Sequence, residues 1–242
     1  MAKTTMSLDD LVTQLRAVHG PELIGVVLYG SAASDEAVEG RSDKNVLLVV
    51  STLSMDVLRK LAQTSRAWQE AGNPPPLIFT LEEWKRSSDI FPMEYADILE
   101  RHRVLHGTMP LEGIHIDQAH LRLQTEQEAM GKMLRLRRAV MTAGTDTSRQ
   151  QELLRASFSA LLVIFRAVLR LHGVQPPRDA VAVVQAVGER GGFDVSAFEH
   201  VAGLVRGRAI AERDTDAVLT GYVRGMDDLV HYLDRFAPPA AA

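Results

Sequence analysis

The segment from Leu23 to Val50, LIGVVLYGSAASDEAVEGRSDKNVLLVV, constrains the fold more than any other part of the chain. Leu23–Tyr29 and Val46–Val50 are short, apolar and rich in β-branched residues, the pattern of two buried strands. Gly30 and Ser31 stand where the first run must end. Glycine there admits a close approach by backbone or ligand, and serine can cap a following helix. Asp43 and Asn45 lie two positions apart at the mouth of the second run, so on an extended chain their side chains leave the same face. Two oxygen-bearing side chains held side by side suit a hard cation such as Mg²⁺ set against a triphosphate.

Gly-Ser, an eleven-residue spacer over 32–42, and Asp-x-Asn leading into an apolar strand resemble the signature of the nucleotidyltransferase superfamily. That superfamily includes DNA polymerase β and kanamycin nucleotidyltransferase. Its usual pattern is Gly-Ser or Gly-Gly, a spacer of this size, then Asp-x-Asp or Asp-x-Glu, with a third carboxylate from a later strand. The resemblance covers the N-terminal third of the chain. It implies that Gly30 and Ser31 hold phosphates, that Asp43 and Asn45 hold Mg²⁺, and that the nucleotide is ATP or GTP. The chain departs from the pattern at two residues: Asn45 replaces the second acid, and Lys44 replaces the apolar residue between the pair. Asn45 can still offer a carbonyl oxygen, but it is neutral. A unit charge lost beside a divalent ion costs on the order of several kcal/mol at short range. Lys44, by strand alternation, points to the other face.

Composition narrows the remaining choices. With 242 residues, 46% of them hydrophobic, the chain can bury a large core and is long enough for one or two domains. The formal net charge of −4 argues against generic nucleic-acid coating, which needs a basic excess. The acid surplus lies wholly before Pro110, as expected if that part holds metal. There is no cysteine, which excludes disulfides and cysteine-bearing zinc sites. Met1–Gly20 carries acids and lacks the apolar core of a signal peptide, and no apolar run approaches the roughly 20 residues of a membrane helix. The expected location is cytoplasmic, with no membrane partner.

Taken in order, Leu8–His19 has helical spacing, with Ser7 as cap and Gly20-Pro21 as its end. Ser54–Ala71 reads as one amphipathic helix stopped by Gly72-Asn73-Pro74-Pro75-Pro76. Leu77–Thr80 reads as a strand, Leu81–Ser88 as a short helix, Met93–Leu99 as a strand, and Arg103–His106 as an edge strand. The expectation for residues 1–110 is an α/β (α+β) nucleotidyltransferase-like domain built on a small mixed sheet. Beyond Leu111 the strand signal disappears. Ile116–Thr142, Ser148–Leu171, Arg178–Arg190, Val195–Val205 and Asp214–Phe236 read as five helices with short connections, an all-α bundle over 111–242. Kanamycin nucleotidyltransferase and its bacterial relatives resemble this arrangement, with a bundle behind the sheet.

Glu94 and Asp97 are the candidates for the third acid. Three apart on a strand they would face opposite sides, so at most one could meet Asp43. Asp97 is favoured because it would lie near the strand's open end, while a surface carboxylate paired with Arg101 or Arg103 is the bland alternative. In the family this acid activates the acceptor hydroxyl. In the bundle, Arg166 and His172 resemble the Arg-x4-6-His pattern of HEPN ribonucleases, although Ala167 follows the arginine where a polar residue is usual. A histidine beside Gly173 also reads as a helix C-cap. Lys132, Arg135, Arg137 and Arg138 form a basic run that could meet the triphosphate or an anionic acceptor, although a solvated helix face is the more common outcome of such a run.

Together these features point to transfer of a nucleoside monophosphate from a nucleoside triphosphate to a hydroxyl of a small molecule or protein. Asp43, Asp97 and Glu94 are the candidate catalytic acids, Asp43 and Asn45 the metal ligands. The alternative is a catalytically inactive nucleotide-binding or structural descendant of the same fold, and Asn45 is the residue that separates the two. The acceptor is not legible, and a homodimer is left open.

Overall fold

The structure is a computed structural model that describes residues 6–33 and 44–237, with Ser31 described in its backbone only. The chain divides into two compact units, Met1–Ile116 and Asp117–Ala242.

The first unit begins with helix α1 (Leu8–His19). Ser7 caps it in a reciprocal box: the Ser7 Oγ accepts from the Asp10 backbone N–H, and the Asp10 carboxylate accepts from the Ser7 N–H at 3.0 Å. A 3₁₀ turn through Pro21 leads into β1 (Leu23–Tyr29). β2 (Asn45–Val50) runs antiparallel to it, with Tyr29 opposite Asn45. The expected single helix over Ser54–Ala71 is two, α2 (Met55–Lys60) and α3 (Ala62–Glu70). They are divided at Leu61, whose ψ of −11° is flatter than an ideal helical turn. β3 (Leu77–Thr80) lies parallel to β2, and β4 (His102–Gly107) lies antiparallel to β1. The strand order β3-β2-β1-β4 makes the small mixed sheet anticipated from sequence.

Alternation divides the two inner strands between two cores. Val26, Leu28, Val46, Leu48 and Val50 face Leu11, Leu15 and Trp68, from α1 and α3. Val27, Leu47 and Val49 face the opposite way, onto Trp84, Tyr95 and Ile98. These come from α4 (Leu81–Arg86) and α5 (Pro92–Glu100). The second core is tied by polar contacts as well as apolar area. Tyr95 stacks on Trp84 at a centroid distance of 4.2 Å and donates its hydroxyl to the Trp84 carbonyl at 2.6 Å, and the Trp84 indole donates to the Pro110 carbonyl at 2.7 Å.

Helix α5 corrects an expectation. Met93–Leu99 was read as a strand from its short apolar run, but Pro92 opens a helix at N1, where its missing N–H costs nothing. Its buried residues Met93, Tyr95, Ala96 and Ile98 wrap more than half of the helix and leave Glu94 on the remaining, exposed strip.

The second unit is all-helical: α6 (Gln118–Ala143), α7 (Thr147–Leu171), α8 (Ala180–Gly191), α9 (Ser196–Val205) and α10 (Glu212–Arg235). Asp117, Asp146 and Asp179 cap α6, α7 and α8 through their side chains. α6 and α10 run in opposite directions: the Arg122 guanidinium, near the start of α6, donates to the carbonyls of Leu233 and Asp234 at the end of α10. Phe165, Phe198 and Tyr222 meet edge-to-face at the centre of the bundle.

Candidate active site

The first strand delivers its end to a crowded corner. Tyr29 is opposite Asn45 on one side and opposite His102 on the other, so the last residue of β1 is flanked by the first residues of β2 and β4. Gly30 follows with φ of +76°, a conformation that disfavours any side chain, and its N–H donates to the Arg101 carbonyl at 3.1 Å. Arg101 is the residue that joins α5 to β4. This one hydrogen bond therefore ties the end of α5 to the Gly-Ser turn.

The tie brings two candidate side chains to the same glycine. A Cβ added at Gly30 would lie 3.4 Å from the side-chain amide nitrogen of Asn45 and 3.8 Å from a carboxylate oxygen of Asp97. The space above Gly30 is thus bordered by one amide and one acid from elements far apart in sequence. Asp97 is half-buried and Glu94 exposed. Because α5 is a helix, residues 94 and 97 share a face rather than opposing one another. The premise that they face opposite sides of a strand is corrected for that reason. Both are close enough to act on Tyr29, whose hydroxyl pKa is raised first by burial, then by the charge of Asp97, then by that of Glu94. Arg101, one of the two arginines offered as a surface partner for that acid, contributes its backbone carbonyl to Gly30.

Asp43 lies outside the described residues, and the side chain of Ser31 is likewise not described. Lys44, the first described residue after that segment, donates its backbone N–H to the Asn73 side-chain Oδ1 at 3.0 Å. Asn73 belongs to the turn that ends α3. It holds the chain as β2 begins, next to Asn45. Sequence reading treated Asn73 as a helix stop only; a contact spanning 29 positions leaves no local signal. Tyr29 was likewise read as strand core, though its place immediately before Gly-Ser marks it as a lip residue.

The donors present are hard oxygen ligands, the chemistry Mg²⁺ prefers. Among the described residues no three His, Cys, Asp or Glu side chains cluster as a metal set. Asp97 is the acid that the described residues bring to Gly30, and Asn45 presents its side-chain amide nitrogen beside it.

Arg166 and His172 are six positions apart on α7, hence about 120° apart around its axis. His172 is the C-cap of that helix, hydrogen-bonds the Tyr232 hydroxyl and stacks on its ring, and burial followed by the charge of Arg190 lowers its pKa. Of the basic run, Lys132 pairs with Glu128 at 3.7 Å and Arg137 with Asp227 at 3.0 Å, while Arg135 and Arg138 are exposed.

A helix-covered mixed sheet whose central strand ends in Gly-Ser, followed by a helical bundle, is the nucleotidyltransferase fold. The chain matches the crystal structure of spectinomycin adenyltransferase AAD(9) from Enterococcus faecialis with ATP and spectinomycin, at a TM-score of 0.59 and 15% sequence identity. The match covers 95% of this chain and 100% of that one. At that identity the likeness is one of fold. No protein-family model matches the sequence, and no curated protein matches it. No helix among the described residues is long and apolar enough to cross a membrane.

Proposed function

We propose that the protein is a nucleotidyltransferase that moves a nucleoside monophosphate from ATP or GTP to a hydroxyl of a small molecule or protein. The observation that carries the proposal is the convergence of Asn45 and Asp97 on Gly30, at the end of a strand whose fold-mate is an adenyltransferase. Gly30, lacking a side chain, leaves room for phosphate oxygens to approach the backbone, and Ser31 follows it. Asp43, Asn45 and Asp97 would hold Mg²⁺, which when bound neutralises charge on the phosphates and the departing pyrophosphate. Asp97 accepts the proton of the acceptor hydroxyl as its oxygen bonds to the α-phosphorus and the bond to the β-phosphate oxygen breaks. Glu94, exposed on the same helix face, adds negative charge at the rim. Tyr29 stays protonated at neutral pH, because burial and both acids oppose its ionisation.

Asn45 supports the second reading, a nucleotide-binding protein that no longer catalyses. Calorimetric titration with ATP and with GTP, with and without Mg²⁺, tests the site both readings share, and Mg²⁺-dependent release of pyrophosphate in the presence of an acceptor hydroxyl separates them. Wild-type binding that requires Mg²⁺ and is lost in Asp43→Ala and Asp97→Asn supports a working nucleotide site, and pyrophosphate release by the wild type then supports the transferase. Binding that appears only in Asn45→Asp means a scaffold whose site was retired. No binding in either protein overturns both readings and leaves an interaction module.

A further inference from the structure

Helix α6 carries two apolar faces. One, with Leu121, Ala129, Met133 and Leu136, is buried against the bundle, where α7 and α10 lie beside it. The other is exposed: Leu123 at 60%, Met130 at 40%, Leu134 at 48% and Met141 at 78%. At 100° per residue these four fall within about 20° of a single line down the helix. Isolated exposed apolar residues are ordinary on protein surfaces, but four in a row along one helix are not.

The spacing of the four is palindromic. Leu123 to Met130 is seven positions, Met130 to Leu134 four, and Leu134 to Met141 seven. An antiparallel copy of the same helix would therefore set Leu123 against Met141 and Met130 against Leu134, twice over, about a two-fold axis near position 132. Self-complementarity of this kind is what a two-fold interface requires. The charges obey the same symmetry. Glu126 and Arg137 lie about 40–60° to the same side of the line, and antiparallel helices bring like sides together, so Glu126 meets Arg137 of the second copy. Within one chain Glu126 contacts Arg122 at 2.9 Å and Arg137 contacts Asp227 at 3.0 Å. The two added contacts would join these pairs into one network.

We infer that this face of α6 is an antiparallel self-association surface, and that its partner is a second copy of this chain. Four side chains make a small apolar patch, which predicts a weak dimer, in roughly the micromolar range. This inference does not rest on the proposed activity.

The absence of cysteine makes the test clean. Leu123→Cys and Met141→Cys chains, each folded by circular dichroism, are mixed and mildly oxidised. In the antiparallel register the mixture forms a disulfide-linked dimer, and neither variant does so alone, since its own cysteines would be about 27 Å apart. In sedimentation velocity, Met130→Glu and Leu134→Lys each sediment as monomers, and mixing them restores the dimer because the new charges face each other. A wild-type protein that stays monomeric up to high micromolar concentration overturns the inference. So does efficient self-linking of Leu123→Cys alone, which would signal a parallel pair or random collision.

Discussion

Gly30→Ala tests the site through a residue whose two contributions can be separated. At a φ of +76° an L-residue is strained by about 1–2 kcal/mol. The new methyl group would sit 3.4 Å from the Asn45 amide and 3.8 Å from the Asp97 carboxylate, both ordinary contact distances, so crowding adds little to that strain. Gly72→Ala is the matched control, with φ of +90° and nothing within 4 Å of an added Cβ. The two substitutions should lower the stability of the first unit by similar amounts. Both tryptophans, Trp68 and Trp84, are fully buried in that unit, so fluorescence during urea unfolding reports on it alone. Nucleotide affinity should separate the pair. A methyl group in the space between Asn45 and Asp97 displaces phosphate oxygens from the backbone, equivalent to one or two charge-assisted hydrogen bonds and thus a roughly ten- to hundred-fold weaker Kd for ATP. Gly72→Ala should bind as wild type does. Equal affinities for the two variants would show that phosphate does not approach Gly30. A much larger loss of stability in Gly30→Ala would show that the space above it is not open.

Two further outcomes follow from the first unit's core. Tyr95→Phe removes the hydroxyl that donates to the Trp84 carbonyl and should lower stability by about 1–2 kcal/mol, with a change in the emission of the stacked indole; an unchanged urea midpoint would refute the role given to that bond. His19 is 5% exposed, its Nε2 has no hydrogen-bond partner, and burial lowers its pKa below the ordinary 6.5. The unfolded chain therefore binds the proton more readily, so the stabilisation from a neutral His19 is complete above about pH 6.5 and is lost as pH falls from there toward the lowered folded value. Asp10 and Glu83, lowered by hydrogen bonds to Ser7 and Thr80, act in the same direction only at more acid pH. His19→Leu should flatten the urea midpoint between about pH 7.5 and about pH 5.5; an unaltered pH slope would count against it.

Local pattern was enough wherever a segment's periodicity was long or its ends were marked. α1 was legible to the residue because Ser7, the apolar spacing and Gly20 agree, and α7 because Leu154, Phe158, Leu161 and Phe165 repeat over 25 residues. α5 was not. Seven residues with Tyr95 and Ile98 among them fit both periods, and only packing against Trp84 settles which one the chain adopts. That choice reverses the geometry of Glu94 and Asp97, from opposite faces of a strand to one face of a helix.

The sequence by itself therefore determined the kind of fold and the glycine it turns on. Buried strands, a Gly-Ser stop and a switch to helical spacing are written in nearest-neighbour chemistry, which is short-ranged. Tertiary structure alone decided which distant groups meet there. Asn45 and Asp97 come to Gly30, and Asn73 to Lys44, because strand pairing and one hydrogen bond from Gly30 to Arg101 close loops of tens of residues. Such closures depend on the whole core being packed, and no local segment encodes them.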